Sequence, residues 1–353
     1  MPLRRRRLYN PAMDSRERVL AALEFRRPDR APRDLWALPW VGQYAQPACD
    51  ELCRKYPMDI AGAGSLAVGD RAKGTPCRQG AYTDDWGSIW QCAEDGVVGE
   101  VLRPALADWA ALDYYRLPWE IVERADFDAV NRAQQANLAG GRKFLKVSCS
   151  ARPFERMQFL RGSENLYLDL GDEPPELFKL RDRLHEFYLK ELERWCRTDC
   201  DAIQWMDDWG RQSALLISPE QWRRIFKPLY ADYCRMIRQA GKKVFFHSDG
   251  HIFAIYEDLI EIGVDAVNSQ LFCMDIEEIG RRFKGRITFW GEIDRQHVLP
   301  FGTPADARAA VARVRRALDD GRGGVIAQCE WGKNNPPANI EAVFEAWEPP
   351  LPK

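Results

Sequence analysis

From about residue 140 onward, short apolar runs alternate with longer segments in which apolar residues recur every three or four positions. The runs are KFLKVS (143–148), AIQWM (202–206), KKVFFH (242–247), DAVNSQ (265–270), RITFWG (286–291) and GVIAQC (324–329). Short, apolar and bounded by polar or glycine residues, they predict buried strands. The segments between them carry helix punctuation. PPELFKLRDRLHEFYLKELERWCR predicts one long helix. In SPEQWRRIFKPLYADYCRMIRQAG, Ser218 is placed to cap, Pro219 to open the first turn and Gly241 to end the helix. TPADARAAVARVRRALDDG repeats this grammar with Thr303, Pro304 and Gly321. Strands alternating with helices predict a parallel sheet, and the fold class expected is an α/β protein, a (β/α)₈ TIM barrel. The first 140 residues are less regular. RERVLAALEF predicts an amphipathic helix, and YTDDWGSIWQCAEDGVVGEV a β-hairpin excursion. This region is expected to supply the early βα units and an N-terminal elaboration that closes over the barrel mouth.

Length and composition agree with one barrel. The chain has 353 residues, and such barrels run from roughly 200 to over 400. Hydrophobic residues make up 46%, with 13 Trp, 16 Phe and 11 Tyr, so a large core is available. Patterned sequence begins at Met13, which sets a single domain over 13–353 and a basic tail over 1–12, expected to be disordered. Lysine and arginine number 51 against 53 acids, for a net charge of −2. That balance excludes a nucleic acid or a membrane surface as the main partner, since both select a concentrated basic face. No apolar run approaches the ~20 residues of a membrane span. Arg4 to Arg7 are followed by no apolar segment, so they do not begin a secretory signal. Ten scattered cysteines without a CxxC pair read as reduced thiols of a cytoplasmic protein.

In a barrel of this kind the working residues stand at the carboxyl ends of the strands. Ser148, Cys149 and Ser150 end one run, and Asp207 and Asp208 the next. His247 and Asp249 follow, then Asn268 and Gln270, Glu292 and Asp294, and finally Cys329 and Glu330. Six successive strands thus end in groups able to bind metal, move protons or orient a substrate. His247 is one of four histidines and has two readings. It is a satisfied residue beside an SDG turn, or it faces one point with Asp249, where Cys329 completes a nitrogen, oxygen and sulfur set for Zn²⁺. Cys329 is either a buried thiol or a working thiolate. Asp207 and Asp208 are a general acid/base pair or a turn. Trp209, Trp290 and Trp331, near strand ends, suit a flat substrate or an aromatic core.

From about Met13 to the C-terminus the chain resembles the uroporphyrinogen decarboxylase-like superfamily, which includes true decarboxylases and cobamide-dependent methyltransferases. The resemblance rests on RERVLAALEFRRPDRAP, DDWGSIW with DGVVGEV, FERMQFLRGSENLYLDL, DDWGRQSALLISPEQWRRIFKPLY, FFHSDG, FWGEIDRQHVLPFGTP and PPANIEAVFEA. True decarboxylases grip the carboxylates of their substrate with an arginine-rich loop near the N-terminus. The matching stretch, LWALPWVGQYAQPA, retains Gly42 and Tyr44 but has neither arginine, and Trp36, Trp40 and Gln43 cannot replace the charge. The zinc methyltransferases carry a His-x-Cys pair and a later Cys eleven residues before the Ile of a P-x-x-N-I motif. His247 matches the first position and Cys329 the last, counted from Ile340, whereas Asp249 replaces the middle cysteine. The resemblance therefore implies a Zn²⁺ site of His247, Asp249 and Cys329 with Gln270 nearby. The activity it implies is a demethylating methyltransferase that passes a methyl group from a small methoxylated or methylated substrate to a corrinoid on a partner protein. Asp207, Asp208, His247 and Glu292 would carry the catalysis, and Trp209, Gln270, Trp290, Glu330 and Trp331 would line the substrate. The alternatives are another metal-assisted or acid/base lyase or hydrolase, and a non-catalytic small-molecule-binding protein.

Overall fold

The computed structural model describes residues 13–348, so the basic tail lies outside the described residues. Strands β1 (Arg33–Ala37) and β2 (Ile60–Ser65) come first, followed by β3 (Gly80–Thr83), β4 (Ile89–Cys92) and β5 (Glu100–Arg103). Then come β6 (Phe144–Ser148), β7 (Ala202–Met206), β8 (Lys243–Ser248), β9 (Ala266–Ser269), β10 (Thr288–Trp290) and β11 (Val325–Trp331), with helices between them. Eight strands form one parallel sheet in the order β1-β11-β10-β9-β8-β7-β6-β2. The Asp59 N–H donates to the Arg33 carbonyl at 2.9 Å and bridges the two edges. The fold is the expected (β/α)₈ barrel.

Strand alternation sorts the side chains. Ile60, Phe144, Ala202, Phe245, Ala266, Trp290 and Ile326 point inward and pack with Val19 and Leu23 of the first helix, Ser15–Leu23. That helix plugs the amino-terminal end of the barrel. The opposite faces, including Ile203, Trp205, Phe246, Ala327, Cys329 and Trp331, join the surrounding helices in a larger apolar layer. Helix Pro175–Cys196 shows the matching period, with Leu177, Leu180, Leu184, Phe187 and Leu192 fully buried. Each such side chain contributes about 1.5–3 kcal/mol.

Two elements differ from expectation. The predicted helix over 218–241 is two helices, Pro219–Ile225 and Lys227–Gln239, with Phe226 at φ −113° between them. Pro228 has no N–H to offer the carbonyl four residues back, which breaks the ladder there. The excursion is a three-stranded antiparallel sheet, β3-β4-β5, rather than a hairpin. Trp90 packs on Phe159 at 4.7 Å, and the Ser88 hydroxyl donates to the Phe159 carbonyl at 2.9 Å. At its far end Tyr44 donates to Asp95 at 3.2 Å, and Lys333 pairs with Glu94. The excursion thus spans from the helix after β6 to the loops after β1 and β11, over part of the mouth. Among the described residues, no helix is long and apolar enough to cross a membrane.

Candidate active site at the carboxyl end of the barrel

The loops after β7 and β8 are clamped together. Gly210 N–H donates to the Asp249 carbonyl at 2.9 Å, and His251 N–H to the Arg211 carbonyl at 2.8 Å. Gly250 sits at φ +76°, and a Cβ there would lie 2.1 Å from the Gly210 carbonyl oxygen. Only glycine against glycine allows this approach. Its effect is to set Asp208 beside Asp249, and the Asp249 N–H donates to Asp208 Oδ1 at 2.8 Å.

His247 ends the inward face of β8, paired in register with Met206 and Asn268. Its side chain is 7% exposed, and Nε2 lies 3.5 Å from Asp208 Oδ1 and 3.4 Å from Asp249 Oδ1. One ligand atom from each of Asp208, His247 and Asp249 falls within 4.8 Å of the others. On the far side of the ring, Nδ1 is 2.6 Å from Asn268 Oδ1, and Trp36 packs at 5.0 Å.

Arg295 organises the neighbouring acids. It bonds both oxygens of Glu330 at 2.9 and 3.0 Å, pairs with Asp249, and lies 3.7 Å from Glu292. Glu292 is buried. Burial holds its carboxyl well above the usual range, with Glu330 and Asp249 adding to the effect and Arg295 opposing it. Asp208 is pushed up to about 6, first by burial and then by Glu155, while His247 acts in the other direction. Oxygens of Glu155, Asp249 and Glu292 are buried without a hydrogen-bond partner. A crevice of about 10 Å³ lies alongside, lined by Gln270, Cys273, Glu292 and Arg295 among others. Larger hollows lie elsewhere, one of about 480 Å³ beside Tyr167 and Arg224. Size does not place the site; the convergent polar groups do.

Several expected residues stand elsewhere. Cys329 does not join His247. It alternates with Gln328 and Glu330 and so faces the helices, fully buried in the outer apolar layer, where burial pushes its thiol up. One residue along a strand reverses the face, which position counting alone does not register. Asp207 is likewise turned outward. Its carboxylate accepts the Phe154 and Glu155 N–H groups at 2.9 and 2.8 Å and the Tyr230 hydroxyl at 2.5 Å. Those bonds cap helix Pro153–Arg161 and leave nothing for substrate. Trp209 is fully buried against Phe154 and Phe226, and Trp331 bonds the Asn335 carbonyl from the outer layer; neither lines the mouth. Trp290 points inward but lies under Trp36, as floor. Gln270 uses its carbonyl on Gly250 N–H at 2.7 Å and borders the crevice, as a support for the turn.

Three further residues stand at the site. Arg295 follows Glu292 by three positions, and its signal is a lone cation among strand-end acids. Trp36 stands where the arginine-rich loop is missing. Lys146, a charge inside an apolar strand, donates to Gln204 at 2.5 Å and lies 4.7 Å from the Trp290 ring.

A parallel barrel whose histidine and carboxylates converge at the mouth is the class defined by this geometry. The sequence matches the family model described as uroporphyrinogen decarboxylase (URO-D) over residues 125–348, more than half of the chain, which therefore belongs to that family. No curated protein matches the sequence. Among solved structures, a methyltransferase from Methanosarcina mazei is 13% identical, with 95% of this chain and 98% of that one covered at a TM-score of 0.71. This similarity shows the shared fold. An endo-beta-1,4-xylanase from Gloeophyllum trabeum is 10% identical over 96% and 99% of the two chains, with a TM-score of 0.44. That looser likeness adds nothing to the functional reading.

Proposed function

We propose that the protein is a methyltransferase, the demethylating component that moves a methyl group from an oxygen or nitrogen of a small methoxylated or methylated substrate to a corrinoid carried by a partner protein. The observation that supports this best is the His247, Asp208 and Asp249 cluster in a URO-D-family barrel without the arginines of the decarboxylase loop.

The cluster fits a divalent cation, for which the proposal names Zn²⁺. Asp249 Oδ1 is buried and has no hydrogen-bond partner, His247 presents Nε2, and Asp208 is within reach. Asp208 takes the place in the donor set that position counting assigned to Cys329. When bound, the ion supplies positive charge that polarises the atom from which the methyl group departs. The chain's own groups do the rest. Glu292, whose buried carboxyl is held well above the usual range, is the acid available to the leaving oxygen or nitrogen. Arg295 holds Asp249 and Glu330 in place. Trp36, packed on His247, offers an aromatic surface to a flat substrate.

An acid/base lyase is the second reading, favoured by the raised carboxyls of Asp208 and Glu292. The deciding assay incubates the protein with free cob(I)alamin and a panel of methoxylated aromatics and methylamines. Loss of the cob(I)alamin absorbance that requires both a methyl donor and His247 supports methyl transfer. Turnover of a panel substrate without corrinoid supports the lyase and refutes the proposal.

A further inference from the structure

Beneath the proposed ligand cluster runs a chain of buried polar groups that the sequence patterns did not join. His247 Nδ1 lies 2.6 Å from Asn268 Oδ1. The Asn268 amide nitrogen in turn contacts the Trp290 backbone carbonyl and Gln328 Oε1, the latter at 3.1 Å. Asn268 and Gln328 are fully buried.

Which end of an asparagine amide is which is normally assigned from its partners. Here one partner decides it. A backbone carbonyl can only accept, so the Asn268 NH₂ must face Trp290, and Oδ1 must then face His247. An amide oxygen also only accepts, so Nδ1 of His247 must carry the hydrogen. In a neutral ring the other nitrogen, Nε2, is left with its lone pair, directed at Asp208 and Asp249. We infer that Asn268, anchored by the Trp290 carbonyl and Gln328, is a positioning residue that locks His247 in the Nδ1–H tautomer with Nε2 open toward the two aspartates.

The chemistry gives this lock a purpose. A ring free to exchange tautomers would present an N–H to Asp208 and Asp249 part of the time, forming a hydrogen bond where a ligand or base is wanted. The usual partner of a working histidine is a carboxylate, which also draws the ring toward the cation. Asn268 fixes the tautomer without adding charge, at a mouth that already holds Asp208, Asp249, Glu292 and Glu330. The role assigned to Nε2 rests on the methyltransferase reading; the tautomer does not.

The test is nitrogen NMR on metal-free protein with ¹⁵N-labelled histidine at about pH 8, where an ordinary imidazole is neutral. The His247 signals in wild type should show hydrogen on Nδ1. Asn268→Leu removes the acceptor at similar size and should give a mixture of tautomers. Asn268→Asp, with a hydrogen on the oxygen that faces the Trp290 carbonyl, restores an acceptor and should return hydrogen to Nδ1. Titration with Zn²⁺ should show affinity about 10–100-fold weaker in Asn268→Leu than in wild type, and partial recovery in Asn268→Asp. A wild-type ring carrying hydrogen on Nε2 overturns the inference, even if Asn268→Leu fails to fold. An unchanged Nδ1–H tautomer in a folded Asn268→Leu overturns it as well. Nδ1–H in wild type without zinc binding or methyl transfer leaves the lock standing and removes the proposed function instead.

Discussion

The two ends of the barrel treat buried charge in opposite ways. At the amino-terminal end, Asp59 accepts from the Ser15 hydroxyl at 2.7 Å, from Arg18 at 2.6 Å, from Arg30 at 2.7 Å and from the Arg33 N–H at 2.8 Å. Asp201 takes Arg16 on one oxygen at 2.7 Å and the Leu145 N–H on the other at 2.8 Å. Each of these acids stands one residue before its strand and stitches the first helix to the barrel, Asp59 at the seam between β1 and β2 and Asp201 between β6 and β7. At the carboxyl end, Asp249, Glu292 and Glu330 gather around Arg295, and Asp208 and Asp249 flank His247. Among the described residues, the buried carboxylate oxygens left without a hydrogen-bond partner belong to Glu155, Asp249 and Glu292, all at this end. A satisfied network holds a fold together, whereas open acceptors and raised acids are what a site for cations or protons requires.

Substitutions at the two ends should therefore separate stability from function. The largest effect on stability is expected at the closed end. Asp59→Ala removes the carboxylate partner of Arg30, leaves Arg18 with Asp29 alone, and should cost about 3 kcal/mol in chemical unfolding, the low end for a broken buried pair. Asp249→Asn at the mouth should change stability by less than ~1 kcal/mol while removing zinc binding; equal losses at both ends would erase the contrast. Glu292→Gln should lower methyl transfer by about 10²-fold, the usual contribution of a positioned acid, at nearly unchanged melting temperature. A milder effect is expected from Asp208 in metal-free protein. Its folded pKa of about 6 exceeds the unfolded value of ~3.9, so the folded state keeps the proton longer. Its contribution to stability must then fall as pH rises from about 4 to about 6 and stay level above. The melting temperature of wild type relative to Asp208→Asn should decline across that window, and a flat difference would remove the raised pKa. The smallest effect is expected from Cys329→Ala, which opens a small gap in the outer layer, costs about 1 kcal/mol and leaves metal affinity intact.

The contrast also explains what could be read from the chain. The six late strands were legible because short apolar runs between capped helices have one economical arrangement, and Thr303 with Pro304 opens its helix as its type demands. That Asp208, His247, Asp249 and Glu292 gather in one place was legible because strand ends converge on one mouth. Cys329 was misplaced because a strand reverses its face at every residue, and a position matched by counting carries no direction. Asp207 and Asp208 are adjacent and face opposite ways for the same reason, so their shared spacing could not tell the cap from the site. The stitching role of Asp59 was hidden because its partners, Ser15, Arg18 and Arg30, meet it only in three dimensions. Arg295 carries no strand-end signal, because the cation that organises the acids lies one turn beyond them.

Zinc stoichiometry and affinity, measured on chelator-free protein in wild type and in the His247→Ala, Asp249→Ala, Asp208→Ala and Cys329→Ala variants, test the site most directly. The account predicts one zinc per chain in wild type and in Cys329→Ala, with binding lost in His247→Ala and Asp249→Ala and weakened in Asp208→Ala. Zinc that disappears with Cys329 but survives without Asp208, or a wild-type chain that binds none, would contradict it.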